Sequence, residues 1–207
     1  MIEFAASASG PTVATPPKLK ITAATAQELS PGVPLSGKAQ ALLDPKIPPL
    51  AFVEALSAQS LYTDAVQFLS RALPKREAVW WCCLCSRDLP EDAKRPELAG
   101  GIGAAEAWVF RPNEENRRKA ESAANAITAS HPARWTAMAA FWSGGSMAPP
   151  EAPEAKPAED FTAKAVAGAI LMAAALDPLE TDARNRRFLG YGLDIAKGGT
   201  GRPPART

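Results

Sequence analysis

The sequence predicts an all-α fold: a single compact helical domain of about seven to eight helices. Apolar residues recur at intervals of three and four through most of the chain, as they do on the buried face of a helix. Prolines and small polar residues stand just before these segments, where helices begin. No two alternating apolar–polar runs lie close enough together to indicate a β-hairpin.

The domain boundaries follow from composition. Residues 1–35 are rich in Ala, Ser, Thr and Pro, which predicts an extended or disordered arm. The helical domain is expected over residues 36–198, interrupted by a Pro/Ala/Glu-rich exposed loop at residues 147–160. Residues 199–207 are polar and basic, which predicts a flexible tail.

The first half of the domain contains a short apolar segment and then three helices. Ser36 opens the apolar segment, and Pro49 stands at the start of the first helix. Thr63 or Asp64 is expected to cap the next helix. Pro74 ends that helix and begins the one after it, which runs to about residue 88.

The second half begins with a glycine-weakened helix at residues 97–110 and a well-supported one capped by Asn113. The latter carries three opposite-charge pairs at i,i+4, namely Glu114–Arg118, Glu115–Lys119 and Arg117–Glu121. Its charged residues Glu114, Glu115, Arg117 and Arg118 are interpreted as a solvated face.

Three further starts follow along the chain. Pro132 begins a helix, and Thr162 is expected to cap an apolar helix at residues 165–176. The last helix is expected from Pro178, with Leu179 on its apolar stripe, and Gly198 ends it.

The composition limits the classes of partner. The chain has 207 residues, 46% of them hydrophobic, and a formal net charge of +1. That charge gives no general attraction to nucleic acid or to an anionic membrane. The longest apolar run is too short to span a bilayer, and the N-terminus lacks a signal-peptide pattern. We therefore expect a cytoplasmic protein without a membrane span and without a nucleic-acid partner.

All three cysteines lie within four residues of one another, at Cys82, Cys83 and Cys85. A structural zinc site needs four convergent ligands, and the one histidine, His131, is far away in the sequence. Buried free cysteine packs as a small apolar side chain. The favoured interpretation is core packing, with no metal and no cofactor; a catalytic thiol is the alternative.

Trp80 and Trp81 lie in the same nearly all-apolar helix, which predicts a buried position against two different neighbouring helices. The functional alternative is an exposed aromatic platform for a ligand. Lys75, Arg76 and Glu77 form the first turn of this helix.

A charge in that turn can serve either a structural ion pair or a ligand site. Glu106 is a candidate partner for Arg76. The tentative binding residues are therefore Lys75, Arg76, Glu77, Trp80, Trp81 and Glu106.

A second charged cluster lies near the end of the chain. Arg184, Arg186 and Arg187 form it, and with Arg202 and Arg206 it is suited to an acidic partner. It is too small, and too balanced by nearby acids, to indicate DNA binding. The sequence shows none of the serine-hydrolase, metalloprotease or P-loop motifs, so we expect no catalytic residues.

Five segments together resemble an uncharacterised bacterial family. They are ALPKREAVWW (72–81), AAEAWVFRPNEENRRKAE (104–121), AFWSGGSMAPP (140–150), TAKAVAGAI (162–170) and RRFLGYGLDIAKG (186–198). The resemblance covers about residues 50–198 and brings no catalytic residues with it. It implies an accessory role beside type VI secretion spike and effector cassettes, in the company of adaptors or chaperones.

Two functions are left open. The favoured one is a non-enzymatic protein-interaction module, an adaptor- or chaperone-like accessory whose partner is a secretion spike, effector or adaptor. The alternative is a small-molecule sensor or enzyme in which Arg76, Glu77 and Glu106 converge on one pocket with perturbed pKa values.

Overall fold

A computed structural model describes residues 18–90, 95–149 and 151–202, and these residues form ten helices and no strand. The helices are α1 (Ala26–Leu29), α2 (Gly37–Ala41), α3 (Pro49–Ala58), α4 (Tyr62–Ala72), α5 (Lys75–Arg87), α6 (Pro96–Phe110), α7 (Glu114–Ala126), α8 (Pro132–Phe141), α9 (Phe161–Ala175) and α10 (Thr181–Ala196). The all-α prediction is confirmed. Eight of these helices have ten or more residues, and the short α1 and α2 add to them.

The predicted helix starts fall where proline or a capping side chain stands. Pro49, Pro96 and Pro132 each occupy a first helical position, where the missing N–H has no intrahelical partner to lose. The side chain of Asn113 accepts a hydrogen bond from the backbone N–H of Asn116, and that of Ser36 accepts one from Ala39. Local sequence therefore sets these boundaries.

Two predicted caps and one predicted core residue are wrong. Helix α4 begins at Tyr62, so neither Thr63 nor Asp64 caps it. The buried carboxylate of Asp64 instead accepts hydrogen bonds from the backbone N–H and the hydroxyl of Ser36. Helix α9 begins before Thr162, whose hydroxyl is buried without a hydrogen-bond partner. Leu179 precedes α10 and is 94% exposed, because the helix starts three residues later than Pro178 suggests.

Helix α5 is the central element, and it contacts α6, α8, α9 and α10. Trp81 is fully buried, and its indole N–H donates to the carbonyl oxygen of Phe188 at 2.6 Å. Gly192 of α10 permits this approach, since a Cβ there would lie 2.7 Å from both the Trp81 ring and the Leu69 side chain. The bulky ring and the glycine are thus complementary parts of one helix contact.

The segment that precedes α2 is packed on the domain from Lys20 onward, so an extended or disordered arm does not reach residue 35. Ile21 and Ala26 are buried, and the backbone N–H of Lys20 donates to the carbonyl of Ala196 at 2.9 Å. Residues 1–17 lie outside the described residues.

The charged face predicted on α7 is wrong at one position. Arg117 is only 3% exposed and does not pair with Glu121. It donates to both carboxylate oxygens of Glu114 at 2.6 Å and to the carbonyl oxygens of Phe141 and Ser146, both at 2.8 Å. Its guanidinium also lies 4.7 Å from the centre of the Phe141 ring.

The loop after α8 closes over this arginine. Gly145 has φ +65°, and a Cβ at that position would lie 2.9 Å from Arg117 Nε. Arg118 and Lys75 also donate to carbonyls of the loop, at Ser146 and Ser143. We call this arrangement the Arg117 cradle; it comprises Glu114, Arg117, Arg118, Phe141 and the loop 143–148.

No helix among the described residues combines the length and the apolar character that crossing a membrane requires.

Candidate functional site

The structure brings charged and aromatic side chains together at one groove, which lies between α5, the end of α6 and the segment after α10. The groove has a volume of about 390 Å³. We call it the Trp80 groove. Six of its lining residues carry charge or an aromatic ring, namely Lys20, Arg76, Glu77, Trp80, Phe110 and Arg202.

Trp80 forms the floor of the groove. It is half-buried, and its indole N–H donates to the carbonyl oxygen of Thr200 at 2.8 Å. Phe110 packs edge-on against it, with ring centres 5.8 Å apart, yet the Phe110 side chain is 70% exposed. An aromatic residue left this open at the end of a helix provides apolar surface that the described residues do not cover.

Three cations surround the two rings. Arg76 donates through Nε to the carbonyl of Val109 at 2.6 Å, and the guanidinium of Arg202 lies 5.2 Å from the centre of the Trp80 ring. Lys20 pairs with Glu77 at 3.2 Å. Glu77 supplies the negative charge among the six residues named above, so the groove is net positive although the whole chain is nearly neutral.

The segment after α10 is held in place by its backbone. Gly201 has φ +75°, is buried, and donates its N–H to the Asp194 carboxylate at 2.7 Å. A Cβ on Gly201 would approach Leu84 to 2.6 Å. Residues 199–202, expected to belong to a flexible tail, therefore form one wall of the groove; residues 203–207 lie outside the described residues.

Three of the six tentative binding residues line this groove, namely Arg76, Glu77 and Trp80. Lys75 points elsewhere and donates to the carbonyl of Ser143 at 3.1 Å. Trp81 is buried in the core, as the packing interpretation predicts. Trp80, for which the same interpretation predicted burial, is only half-buried and lines the groove.

The expected pair between Arg76 and Glu106 is wrong. Glu106 is bound in a two-pronged ion pair by Arg87, at 3.0 and 2.8 Å. The side chains at positions 87 and 106 meet across the α5–α6 contact, whereas Arg76 reaches the last turn of α6. Arg76, Glu77 and Glu106 therefore do not converge on one pocket.

The cysteines pack in the core. All three thiols are free and fully buried, and Cys82 lies 3.0 Å from the hydroxyl of Thr136. Burial raises the pKa of Cys82 to about 12 and raises the pKa values of Cys83 and Cys85 well above their ordinary value. Such thiols hold little thiolate at neutral pH, which argues against a nucleophilic role. No metal-ligating group of three or more residues occurs among the described residues.

The basic cluster on α10 is not a single surface for a partner. Arg184 donates to the carbonyl of Ala173, Arg186 to the hydroxyl of Tyr62, and Arg187 to the Asp88 carboxylate. Arg202 stands apart from them, in the Trp80 groove.

Sequence reasoning missed Phe110 and Lys20 as groove residues. Phe110 lies off the apolar stripe of α6, and that offset was the available signal that it does not belong to the core. Lys20 gave no signal, because its place in the groove depends on a backbone contact with Ala196, which is distant in the sequence.

Comparison with known protein families gives a match. A family model described as a family of unknown function (DUF6931) matches residues 52–196, which is most of the helical domain. No curated protein and no solved structure matches the chain.

Proposed function

The chain belongs to this family, DUF6931, and from that premise we propose that it is a non-enzymatic protein-interaction module. In this proposal it acts as an adaptor- or chaperone-like accessory of a bacterial type VI secretion spike or effector, in the cytoplasm. A cytoplasmic location is in keeping with three free cysteines in one short segment.

The observation that carries the proposal is the Trp80 groove. Protein interfaces are enriched in aromatic residues and arginine, and single buried aromatic or arginine anchors often dominate their binding energy. The groove combines a half-buried tryptophan, a largely exposed phenylalanine and two arginines, and the described part of the chain does not fill it.

The secretion context rests on the resemblance of the five sequence segments alone. Several residues of these five segments make contacts that hold the fold together. Trp81 and Gly192 form the α5–α10 contact, and Arg117 and Gly145 form the cradle. These segments are therefore a signature of the fold, and the partner has to be identified by experiment.

A small-molecule ligand is the second candidate, because about 390 Å³ lies within the range of small-molecule sites. It would use Arg76 and Glu77 without Glu106. Thermal unfolding of the purified protein in the presence of a panel of small carboxylates tests it. A rise in Tm that Arg202→Gln abolishes would support a ligand site, and no rise with any compound would oppose it.

The interaction module is tested by affinity purification from the native host, with identification of the co-purified proteins by mass spectrometry. We expect a spike, effector or adaptor protein to be recovered. The variant Phe110→Ser should lose it, while Leu179→Ser, which removes an even more exposed apolar side chain elsewhere, should retain it. Recovery of none of these proteins would contradict the proposal.

A further inference from the structure

Some charged side chains of the Trp80 groove form ion pairs within the described part of the chain and others do not. Glu77 is already paired with Lys20. Among the described residues, neither Arg76 nor Arg202 forms an ion pair with a carboxylate. Arg76 donates its Nε–H to the carbonyl oxygen of Val109, and the guanidinium of Arg202 lies over the Trp80 ring. Both arginines therefore keep guanidinium N–H donors for a ligand.

Both arginines are also accessible. The residues at positions 76 and 202 are exposed, and each is held from one side by its contact with Val109 or Trp80. A guanidinium that is fixed in this way loses less side-chain entropy when it binds a carboxylate. The groove therefore presents two partly oriented donors for anions.

Apolar surface lines the same groove as these donors. The edge-on pair of Trp80 and Phe110 gives a ligand an aromatic contact that a simple anion would leave unused. A matching ligand must therefore carry carboxylates and a bulky apolar side chain together.

We infer that the Trp80 groove binds an acidic segment of a partner protein, in which carboxylates flank an aromatic or aliphatic side chain. The carboxylates bind Arg76 and Arg202, and the apolar side chain packs on Trp80 and Phe110. This inference rests on the proposed function and names the chemistry of its partner. Glu77 within the groove, together with a net charge of +1, disfavours a nucleic-acid backbone.

Fluorescence anisotropy with defined peptides tests the inference. The probe is a fluorescein-labelled 12-residue peptide in which aspartates alternate with phenylalanine and leucine. In one comparison peptide asparagine replaces the aspartates, and in a second serine replaces the apolar residues. A single-stranded 12-nucleotide DNA is the nucleic-acid probe. We expect the protein to bind the first peptide in preference to both comparison peptides and to the DNA, with an affinity that falls as salt rises.

Matched variants locate the binding. Arg202→Gln and Phe110→Ser should each weaken binding by about threefold or more, on the scale of an exposed ion pair or a modest aromatic contact. Lys38→Gln removes an exposed positive charge elsewhere, and Leu179→Ser an exposed apolar side chain; neither should change the affinity.

Equal binding of the asparagine peptide, preferential binding of the DNA, or equal losses in the control variants would overturn the inference. The host purification separates the two claims. A spike, effector or adaptor that is still recovered by both Arg202→Gln and Phe110→Ser would leave the interaction module standing and refute the groove as its acidic-segment site. Absence of any such protein would refute the module itself.

Discussion

The Arg117 cradle and the Trp80 groove use the same side chains in opposite ways. In each, arginine N–H groups donate to main-chain carbonyls and a guanidinium lies over an aromatic ring. Arg117 is buried, and its donors are committed to Glu114, Phe141 and Ser146. Arg76 and Arg202 are exposed and keep donors to spare.

The difference lies in what surrounds each arginine. In the cradle, glycine at position 145 lets the loop close to van der Waals distance over the guanidinium. In the groove, the neighbouring walls stay apart and Phe110 remains open. We expect the buried arginine to contribute to stability and the arginines with spare donors to contribute to the proposed binding, so variants of the two sites should differ in what they change.

The largest effect is expected when the cradle loses its arginine. Arg117→Met removes two bonds to buried or half-buried carbonyls and the paired charge, and hydrogen bonds to charged groups contribute about 1.5–3 kcal/mol each. We expect the free energy of unfolding in urea to fall by about 3 kcal/mol. Lys119→Met, which removes an exposed charge from the same helix, should change it by less than about 0.5 kcal/mol. Equal losses would show that the cradle is not a stabilising unit.

The next largest effect is expected when a methyl group is added where the loop closes over Arg117. Gly145→Ala places a Cβ 2.9 Å from Arg117 Nε at a residue with φ +65°, which should cost about 2 kcal/mol through backbone strain and overpacking. Gly144→Ala is the matched control, because a Cβ there meets nothing within 4 Å. Thermal unfolding should separate the two variants clearly, and a pair of equally stable variants would contradict the close fit of the loop.

Substitutions in the groove should change binding more than stability. Phe110→Ser and Arg202→Gln should each lower the unfolding free energy by less than about 1 kcal/mol, because both side chains are exposed. Their partner binding should nevertheless weaken. Urea denaturation and anisotropy measured on the same preparations provide the comparison. A stability loss as large as that of Arg117→Met would place these residues with the cradle.

The smallest effect concerns pH. The hydrogen bond from Arg117 holds the pKa of Glu114 below its ordinary value. The folded state therefore favours the carboxylate, so this stabilisation is present above the unfolded-state pKa of a glutamate and is lost as pH falls through the lower, folded-state pKa. Because Glu114 is 59% exposed, the contribution should be about 0.5 kcal/mol at neutral pH.

Urea denaturation across acid pH measures this contribution. The wild type should lose slightly more stability on acidification than Glu114→Gln does. Identical acid profiles would mean that Glu114 adds nothing to the cradle.

Local signals predicted the helices well. Pro49, Pro96, Pro132 and Asn113 each act within one turn of their own helix, so the sequence is sufficient to place these starts. The helical spacing likewise placed Trp81 and the cysteines in the core. These features depend on periodicity, which a single chain displays directly.

Contacts between distant segments could not be predicted in the same way. The burial of Arg117 depends on carbonyls 24 and 29 residues away, and nothing in the spacing of α7 distinguishes it from Arg118. Glu106 had two arginine candidates on α5, and the packing of α5 against α6 selected Arg87 over Arg76. Of the six charged and aromatic residues of the Trp80 groove, the sequence therefore predicted the three that lie on α5, namely Arg76, Glu77 and Trp80.

Lys75 and Arg76 also fix the rotation of α5 about its own axis. Successive helical residues point about 100° apart, and these two hold different elements, the loop at Ser143 and the end of α6 at Val109. Together they resist rotation of α5 about its own axis. Inserting one residue after Arg76 would turn the rest of the helix by that angle, and the indole that faces solvent could exchange places with the one that faces the core. These two tethers thus set the register that places Trp80 in the groove and Trp81 in the core.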